Sequence, residues 1–274
     1  MVSVLLQTVN RPAVTRNMPD DACRRSPATP TAVISSGIPS VDRMTGIGGY
    51  PRGRVTELFG TASSGKSALA LTCCLHAAAQ GLTAVWIDLE HTLAAKLPLN
   101  PGPSVHDILL LEPQTPEDAV DMAAILLERV SIDLLVMDSA LAMQPSHRSQ
   151  NLPSNMARAE MVGRALRKLT VLVAHSNCVM LFLSRSYLLA VPDSVSSIGG
   201  HALRSFASLR LRATQRQILT EEGEATGFVV QLRVVKNKLA PPERETALYY
   251  SLTDGTLTEV SSHEQQELDK EAQL

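Results

Sequence analysis

A glycine-bracketed loop that ends in Lys-Ser has the residue types needed to bind phosphate. It follows the short apolar run Val55–Phe59. Glycine allows backbone conformations in which successive N–H groups turn towards phosphate oxygens, while the lysine supplies a charge and the serine a hydroxyl for Mg²⁺. We predict a nucleotide-binding loop, the alternative being a chance glycine turn. Its residues are Gly60, Thr61, Ala62, Ser63, Ser64, Gly65, Lys66 and Ser67.

Two acidic residues follow other apolar runs and could complete such a site. Glu90 comes just after Leu82–Asp88, and Asp138 ends Ile132–Asp138. The carboxyl ends of strands in an open α/β sheet line the ligand crevice, so Glu90 could orient or deprotonate a water there. Asp138 could hold the Mg²⁺ shell together with Ser67. The alternatives are a surface glutamate at a strand end and an aspartate that caps a helix.

The elements that would position these residues alternate between apolar runs and helical stretches. Ala68–Ala79 is rich in helix formers, so a helix would begin at the phosphate loop and point its N-terminus at the phosphates. Thr115 and Pro116 mark the start of a helix that runs through Arg129. Further helices are predicted near Ser40, at Met156–Ala174 and at His201–Phe206, and further strands at Ile108–Leu111, Cys178–Leu183, Ser208–Arg212 and Phe228–Lys236.

Composition limits the classes of function. The 274 residues are 45% hydrophobic, enough for a substantial core, and the net charge of −2 provides no overall positive field for nucleic acid. The cysteines, Cys23, Cys73, Cys74 and Cys178, lack metal-ligand spacing. No apolar run reaches the length of a membrane span, and no signal pattern opens the chain. We expect a cytoplasmic protein.

Three regions follow from the distribution of proline, glycine and charge. Residues 1–32 are proline-rich and predicted to be a flexible tail, 33–260 to be the folded core, and 261–274 an acidic tail. Within the core, 144–155 and 187–198 are predicted to be loops. A hairpin with its tip at 221–224 is expected to extend the sheet at its C-terminal side, and Lys236 and Lys238 would end its second, edge-like strand.

Taken together, these segments resemble the ATPase core of bacterial RecA recombinases from about Val33 to Asp254. The resemblance implies an α/β P-loop NTPase fold with a mostly parallel central sheet flanked by helices and a C-terminal antiparallel hairpin. The motifs that carry it are Ile34–Gly37 with Asp42, Pro51–Arg54 leading into the phosphate loop, Ile87–His91, Asp138-Ser139, Ala165–Leu169, Gly199–Leu203 and Val234–Pro242.

The resemblance also implies roles for individual residues. It makes Glu90 the catalytic carboxylate together with Lys66 of the phosphate loop, with ATP and Mg²⁺ as ligands. It implies that Lys236 and Lys238 reach across a subunit interface to a neighbour's ATP, the alternative being two independently solvated surface lysines. Single-stranded DNA is the implied partner, and the residues expected to contact it are Arg148, Arg158, Gly199, Gly200 and Arg204.

The chain departs from the family pattern where the family binds DNA and assembles. Arg185 stands where the family has a glutamine that senses the terminal phosphate, and Leu97 replaces an adenine-stacking tyrosine. The first DNA loop lacks a glycine pair and the second lacks a Phe-Gly-Asn-Pro stretch. We expect a proline-rich tail in place of the family's N-terminal docking helix and no counterpart of its small C-terminal domain, which leaves self-association into a filament or ring open.

Three functions are compatible with this pattern. The first is a DNA-dependent ATPase that acts in DNA repair and recombination. The second is an accessory protein of a damage-tolerance polymerase, similar to the ImuA group of RecA relatives, which would work through contacts with translesion polymerase components. The third is an ATPase of the same fold with no DNA role, such as a regulator.

Overall fold

A mixed β-sheet forms the centre of the protein. The computed structural model describes residues 31–93, 107–145, 153–188, 195–197, 200–221, 223–242 and 244–260. The strands, in chain order, are β1 (Val33–Ile34), β2 (Tyr50–Pro51), β3 (Arg54–Gly60), β4 (Ala84–Asp88), β5 (Ile108–Leu111), β6 (Leu134–Asp138), β7 (Val179–Leu188), β8 (Val195–Ser197), β9 (Leu209–Glu221), β10 (Glu224–Asn237), β11 (Glu245–Ser251) and β12 (Leu257–Glu259). The helices are α1 (Pro39–Thr45), α2 (Lys66–Ala79), α3 (Pro116–Arg129), α4 (Ser154–Ser176) and α5 (Gly200–Phe206).

The large sheet has a parallel half and an antiparallel half. Its order is β12-β11-β10-β9-β3-β7-β6-β4-β5, and β1 pairs with β2 in a separate small sheet. All pairs from β9 through β3 to β5 are parallel, whereas β9 to β12 form an antiparallel meander. The predicted α/β architecture is therefore confirmed, and the predicted hairpin is the first part of a longer meander.

Alternating side chains of the parallel strands pack against helices on both faces of the sheet. In β6, Leu134 and Val136 belong to one hydrophobic core with α2, while Leu135 and Met137 belong to a second core with α3 and α4. Strands covered on both faces need apolar residues at every position, which explains why they appear in the sequence as continuous apolar runs. The two cores fix the sheet between its helices.

The helix α3 begins at Pro116, where the sequence predicts its start. The Thr115 hydroxyl accepts a hydrogen bond from the Asp118 backbone N–H at 3.1 Å, and Pro116 occupies the first turn. This cap satisfies one of the free N–H groups at the helix start.

None of the helices in the described residues is long and apolar enough to cross a membrane.

Two predictions about the second half of the chain are wrong. The segment 187–198 is not entirely loop, because β7 continues to Leu188 and β8 pairs with it, Ser186 lying opposite Ser197. The strand that ends near Lys236 is not at an edge, since β10 lies between β9 and β11. Both errors concern strand pairing between distant segments.

The predictions for the two tails fall almost entirely outside the described residues, which begin at 31 and end at 260.

A buried ion pair joins the antiparallel half to the phosphate-loop strand. Arg210 Nε donates to Glu57 Oε2, and both side chains are almost fully buried. Ser184 Oγ donates to the other carboxylate oxygen at 2.6 Å, and the Arg210 guanidinium lies 4.5 Å from the centre of the Phe59 ring. The group connects β3, β7 and β9. Each buried charge therefore has partners that compensate for its loss of water.

We predict that Arg210→Ala lowers the free energy of unfolding by about 3–5 kcal/mol, because it leaves the Glu57 carboxylate buried without its cation. Urea denaturation measures this change. Arg43→Ala is the control, since Arg43 and Glu259 form an ion pair whose side chains are 71% and 44% exposed, and such pairs contribute no more than about 1 kcal/mol. Equal losses in the two variants would contradict a stabilising role for the buried pair.

Candidate nucleotide-binding site

The phosphate loop lies between β3 and α2, as its sequence predicts. Gly65 adopts φ of 81°, which favours glycine, and directly precedes the helix. Gly60 lies beside Ala213 of β9, and a Cβ atom at Gly60 would overlap the Ala213 carbonyl oxygen. Both glycines are therefore required by the local backbone. The helix begins two residues earlier than predicted, so Lys66 and Ser67 form its first turn.

The polar groups of the loop are held by one another. Ser64 Oγ donates to the Thr61 carbonyl oxygen at 2.9 Å. Lys66 Nζ donates to the same carbonyl and to Ser64 Oγ, the latter at 3.2 Å. The ammonium group therefore lies over the loop, where the first helical turn also directs its free N–H groups. A cradle of this kind fits an anion such as a phosphate.

Ser67 and Asp138 lie in contact at the carboxyl end of the parallel sheet. Ser67 Oγ donates to Asp138 Oδ2 at 3.2 Å, and Asp138 is 3% exposed. A hydroxyl and a carboxylate are oxygen ligands of the type that Mg²⁺ prefers, usually with several waters. The donor set fits this ion. The described residues contain no cluster of three or more His, Cys, Asp or Glu side chains arranged to hold a metal, so a magnesium ion would need phosphate and water to complete its shell.

Glu90 lies on a tight turn that follows β4. The buried Asp88 carboxylate accepts hydrogen bonds from the backbone N–H groups of Glu90, Thr92 and Leu93, at 3.1, 2.8 and 2.7 Å. Ser139 Oγ donates to Glu90 Oε1. The turn fixes the backbone of Glu90 and the serine fixes its side chain, so this carboxylate has a defined position rather than the freedom of a surface glutamate.

These groups surround one cavity of about 480 Å³. Its lining includes the charged and polar residues Lys66, Ser67, Glu90, Asp138 and Arg185. It also includes Leu252 and the pair of Phe228 and Tyr250, whose rings stack with centroids 4.7 Å apart. The cavity therefore offers polar groups for phosphates and an aromatic surface for a flat ring. Leu97, the predicted replacement for an adenine-stacking tyrosine, lies outside the described residues.

Lys236 and Lys238 contact the C-terminal end of α5 in their own chain. Lys236 Nζ donates to the carbonyl oxygens of Arg204 and Ser205, and Lys238 Nζ donates to that of Ser205 at 3.3 Å. Burial lowers the pKa of Lys236, and the charges of Lys238 and Arg210 lower it further, against an opposing effect of Glu57. The neighbour-directed role of the lysines stays a prediction.

The residues predicted to contact DNA lie partly in the described chain. Arg158 is on α4, Gly200 begins α5, and Arg204 is exposed on α5. The two helices pack together, with Ala202 next to Gly163. Arg148 and Gly199 fall outside the described residues. The structure thus places two predicted arginines on a pair of packed helices.

Sequence reasoning missed the residues that support the site. Asp88, Ser139, Ser184 and the pair of Glu57 with Arg210 were assigned no role. Asp88 carries a local signal, since an aspartate often accepts hydrogen bonds from the N–H groups of residues just after it. Ser139 and Ser184 carry none, because their partners lie 49 and 127 residues away.

Known proteins resemble this chain over most of its length. The family model for the RecA N-terminal domain matches residues 23–256. The chain belongs to the RecA family. It is 35% identical over 225 residues to Protein RecA of Treponema denticola, which covers 79% of this chain and 54% of that protein. It is 35% identical over 224 residues to Protein RecA of Mesoplasma florum (79% and 67%) and 36% identical over 223 residues to that of Aquifex pyrophilus (77% and 63%).

Membership of the RecA family confirms the resemblance inferred from the motifs. The matches span about half to two thirds of the length of these three relatives. All three relatives are named Protein RecA. They give no support to the alternative of an accessory protein of a translesion polymerase.

Lys66→Ala should abolish nucleotide binding, because it removes the positive charge that lies over the phosphate loop. The free energy of unfolding should barely change, since the ammonium group is not part of either core. Titration with a fluorescent ATP analogue and a urea denaturation curve measure the two quantities. Lys168→Ala, which removes an exposed lysine paired with Asp121, should bind like the parent. Unchanged ATP affinity in Lys66→Ala would refute the assignment of the loop.

Proposed function

We propose that the chain binds ATP with Mg²⁺, hydrolyses it to ADP and phosphate, and binds single-stranded DNA in repair or recombination. The observation that carries this proposal is the single cavity that brings together the phosphate loop, the Ser67–Asp138 pair and Glu90. Family membership supports the same chemistry.

The triphosphate of ATP would lie over the loop, with Lys66 and the first N–H groups of α2 as its hydrogen-bond donors. Ser67 and Asp138 would hold Mg²⁺, which when bound neutralises charge on the phosphate oxygens. The base would lie towards Phe228 and Tyr250, whose stacked rings give that side of the cavity its apolar surface.

Glu90 would act on the attacking water. Its carboxylate can accept a proton as the water oxygen approaches the terminal phosphorus, and such a positioned base contributes about 10²–10⁴-fold to a rate. Ser139 already holds one carboxylate oxygen by a hydrogen bond. The other oxygen can then take the proton from water.

DNA binding would use a local positive surface, because the net charge of the chain is −2. Arg158 and Arg204 lie on the packed helices α4 and α5, and Arg148 would add a third charge. Few phosphate contacts imply weak binding that depends steeply on salt.

The two lysines give a second, assembly-dependent contribution. Lys236 and Lys238 would leave the α5 carbonyls and approach the phosphates of ATP bound to a neighbouring subunit. Their positive charge would then add to transition-state stabilisation only in a filament or ring on DNA.

Glu90→Gln should retain ATP binding and lose turnover by about 10²-fold or more, because the amide keeps the shape of the carboxylate but accepts no proton. Phosphate release measures turnover, and analogue titration measures binding. Glu112→Gln, the same change at an exposed residue just after β5, should leave both unchanged. If Glu90→Gln hydrolysed ATP at the parental rate, Glu90 would be only a strand-end residue.

Replacing Arg158 and Arg204 together by alanine should flatten the plot of log affinity for single-stranded DNA against log salt by up to about two, since each phosphate contact releases counterions. Fluorescence anisotropy with a labelled oligonucleotide at several salt concentrations measures the slope. Arg43 and Arg129, both exposed, are the double-alanine control for charge. Absence of binding by the parent protein at low salt would favour the ATPase with no DNA role.

A further inference from the structure

Ser139 is the side chain that holds the Glu90 carboxylate. It follows β6 directly, is 5% exposed, and lines the same cavity as Glu90. Its hydroxyl donates to Glu90 Oε1 and accepts a hydrogen bond from the Leu141 backbone N–H at 3.3 Å. A hydroxyl group has one proton and two lone pairs. Because the Leu141 N–H occupies a lone pair, the proton of Ser139 is free for the carboxylate.

The backbone around Ser139 is fixed by the neighbouring strands. Asp138, the last residue of β6, is the register partner of Asp88 in β4 and of Leu183 in β7. The Ala140 backbone N–H donates to the Leu183 carbonyl oxygen at 2.9 Å. Ser139 therefore lies between two residues that are bound to other strands. Its hydroxyl has a defined position relative to the ends of the sheet.

The consecutive residues Asp138 and Ser139 contact different parts of the site. Asp138 Oδ2 accepts from Ser67 Oγ at 3.2 Å beside the phosphate loop, whereas Ser139 donates to Glu90. One residue thus belongs to the proposed Mg²⁺ site, and the next holds the proposed base. Asp88 also accepts from the Glu90 backbone N–H, so both the backbone and the side chain of Glu90 are tied to the ends of β4 and β6.

Without this hydrogen bond the Glu90 carboxylate would be free to turn. Glutamate loses substantial rotamer freedom when its end is fixed, and Glu90 is only half-buried, so packing alone does not fix it. A general base must lie within hydrogen-bond reach of the water, and a displacement of about 1 Å can lower a rate by about 10²-fold. The contact with Ser139 restricts the carboxylate before a nucleotide arrives.

We propose that Ser139 is a positioning residue for ATP hydrolysis, because its hydroxyl holds Glu90 Oε1 and leaves Oε2 as the oxygen that takes the proton from water. In this step the water oxygen forms a bond to the terminal phosphorus, and its proton moves to Oε2. The bond from that phosphorus to the bridging oxygen breaks, and its electron pair stays on ADP. Ser139 keeps its own proton throughout and acts only through Glu90.

This inference rests on the proposed hydrolysis by Glu90 and deepens it, since it names the group that orients the carboxylate. It predicts a loss of turnover without a loss of nucleotide binding. It also predicts that Ser139 has no further effect once residue 90 can no longer accept a proton.

The first test compares Ser139→Ala with the parent at saturating ATP and Mg²⁺, with and without single-stranded DNA. Phosphate release measures turnover, and titration with a fluorescent ATP analogue measures affinity. Turnover should fall about tenfold, as expected when a long side chain regains several rotamers. The affinity, and the Mg²⁺ concentration that gives half-maximal turnover, should change by less than about threefold. Parental turnover, or a larger loss of affinity than of turnover, would overturn the inference.

Two further variants separate the hydrogen bond from the volume of the side chain. Cysteine is close to serine in size but is a weak donor, so Ser139→Cys should be as slow as Ser139→Ala. Ser139→Thr keeps the hydroxyl and should return turnover to within about threefold of the parent. The cysteine variant also keeps the test informative if the alanine variant folds poorly. Parental turnover in Ser139→Cys would assign the effect to packing alone and overturn the inference.

Ser36→Ala is the matched control for the loss of a buried hydroxyl. Ser36 is fully buried, donates to the Ile38 carbonyl oxygen at 3.0 Å, and is not among the described residues that line the cavity. Its loss should lower the urea midpoint about as much as Ser139→Ala does, but leave turnover unchanged. Equal losses of turnover in the two variants would attribute the effect to lowered stability and contradict a positioning role.

The second test places Ser139→Ala on the Glu90→Gln background. Since Ser139 acts only through the proton acceptor, the double variant should hydrolyse ATP within about twofold of Glu90→Gln alone. A further loss of about tenfold would show that Ser139 acts on the nucleotide or the metal directly, which the inference excludes.

The outcomes separate the inference from the proposed function. If the parent hydrolyses ATP and Glu90→Gln is slow, but Ser139→Ala keeps the parental turnover, only the inference fails. If the parent does not hydrolyse ATP even with DNA present, or if Glu90→Gln is as fast as the parent, the proposed function fails and the inference fails with it.

Discussion

The carboxyl ends of the parallel strands lie side by side and set the positions of the charged groups in the cavity. Gly60 of β3 pairs with Arg185 of β7, and Asp88 of β4 pairs with Asp138 of β6. The backbone N–H of Leu89, the residue before Glu90, donates to the Asp138 carbonyl oxygen at 2.6 Å. This hydrogen bond joins the ends of the neighbouring strands β4 and β6. A slip of one residue in any of these pairs would turn the side chains to the opposite face of the sheet. Hydrophobic packing on both faces prevents such a slip, so the geometry of the site is a consequence of the two cores.

The buried Glu57–Arg210 pair restricts the alignment of the strands further than hydrophobic packing does. Taking two charges out of water is costly, and hydrophobic replacements often stabilise a protein as well as a buried pair does. The pair here is accompanied by the Ser184 hydroxyl and the Phe59 ring. These partners act only when β3, β7 and β9 are in their observed register. The arrangement thus selects one alignment of the strands that carry the phosphate loop and Arg185.

The sequence allowed the parallel half of the fold to be predicted well, because its signals are local. The phosphate loop, the Thr115 cap and the continuous apolar strands each depend on residues a few positions apart. The antiparallel half was less predictable. Pairing of β8 with β7, and the internal position of β10, depend on which distant segments meet. The alternation of apolar and polar residues along β10 does not indicate whether one or two strands pair with it.

The candidate site, like the fold, could be predicted from the sequence only where its signals are local. Ser67 could be proposed from the pattern of the phosphate loop, and Glu90 and Asp138 because each comes at the end of an apolar run, where strand ends meet. The hydrogen bonds that hold these residues in place could not be predicted from the sequence. A glutamate within the apolar run Val55–Phe59 signals a buried charge that needs a partner, but its partner is 153 residues away, and no local pattern identifies it.

The contacts of Lys236 and Lys238 with α5 impose a condition on anything that moves these lysines. The last carbonyls of a helix have no partners within the helix, and the two ammonium groups provide them here. A ligand that draws the lysines away must compensate for those lost bonds. A neutral molecule offers too little attraction to do so, whereas a multiply charged anion offers enough. Withdrawal of the lysines would leave the last carbonyls of α5 without these donors, so the position of the lysines and the stability of the helix end are linked.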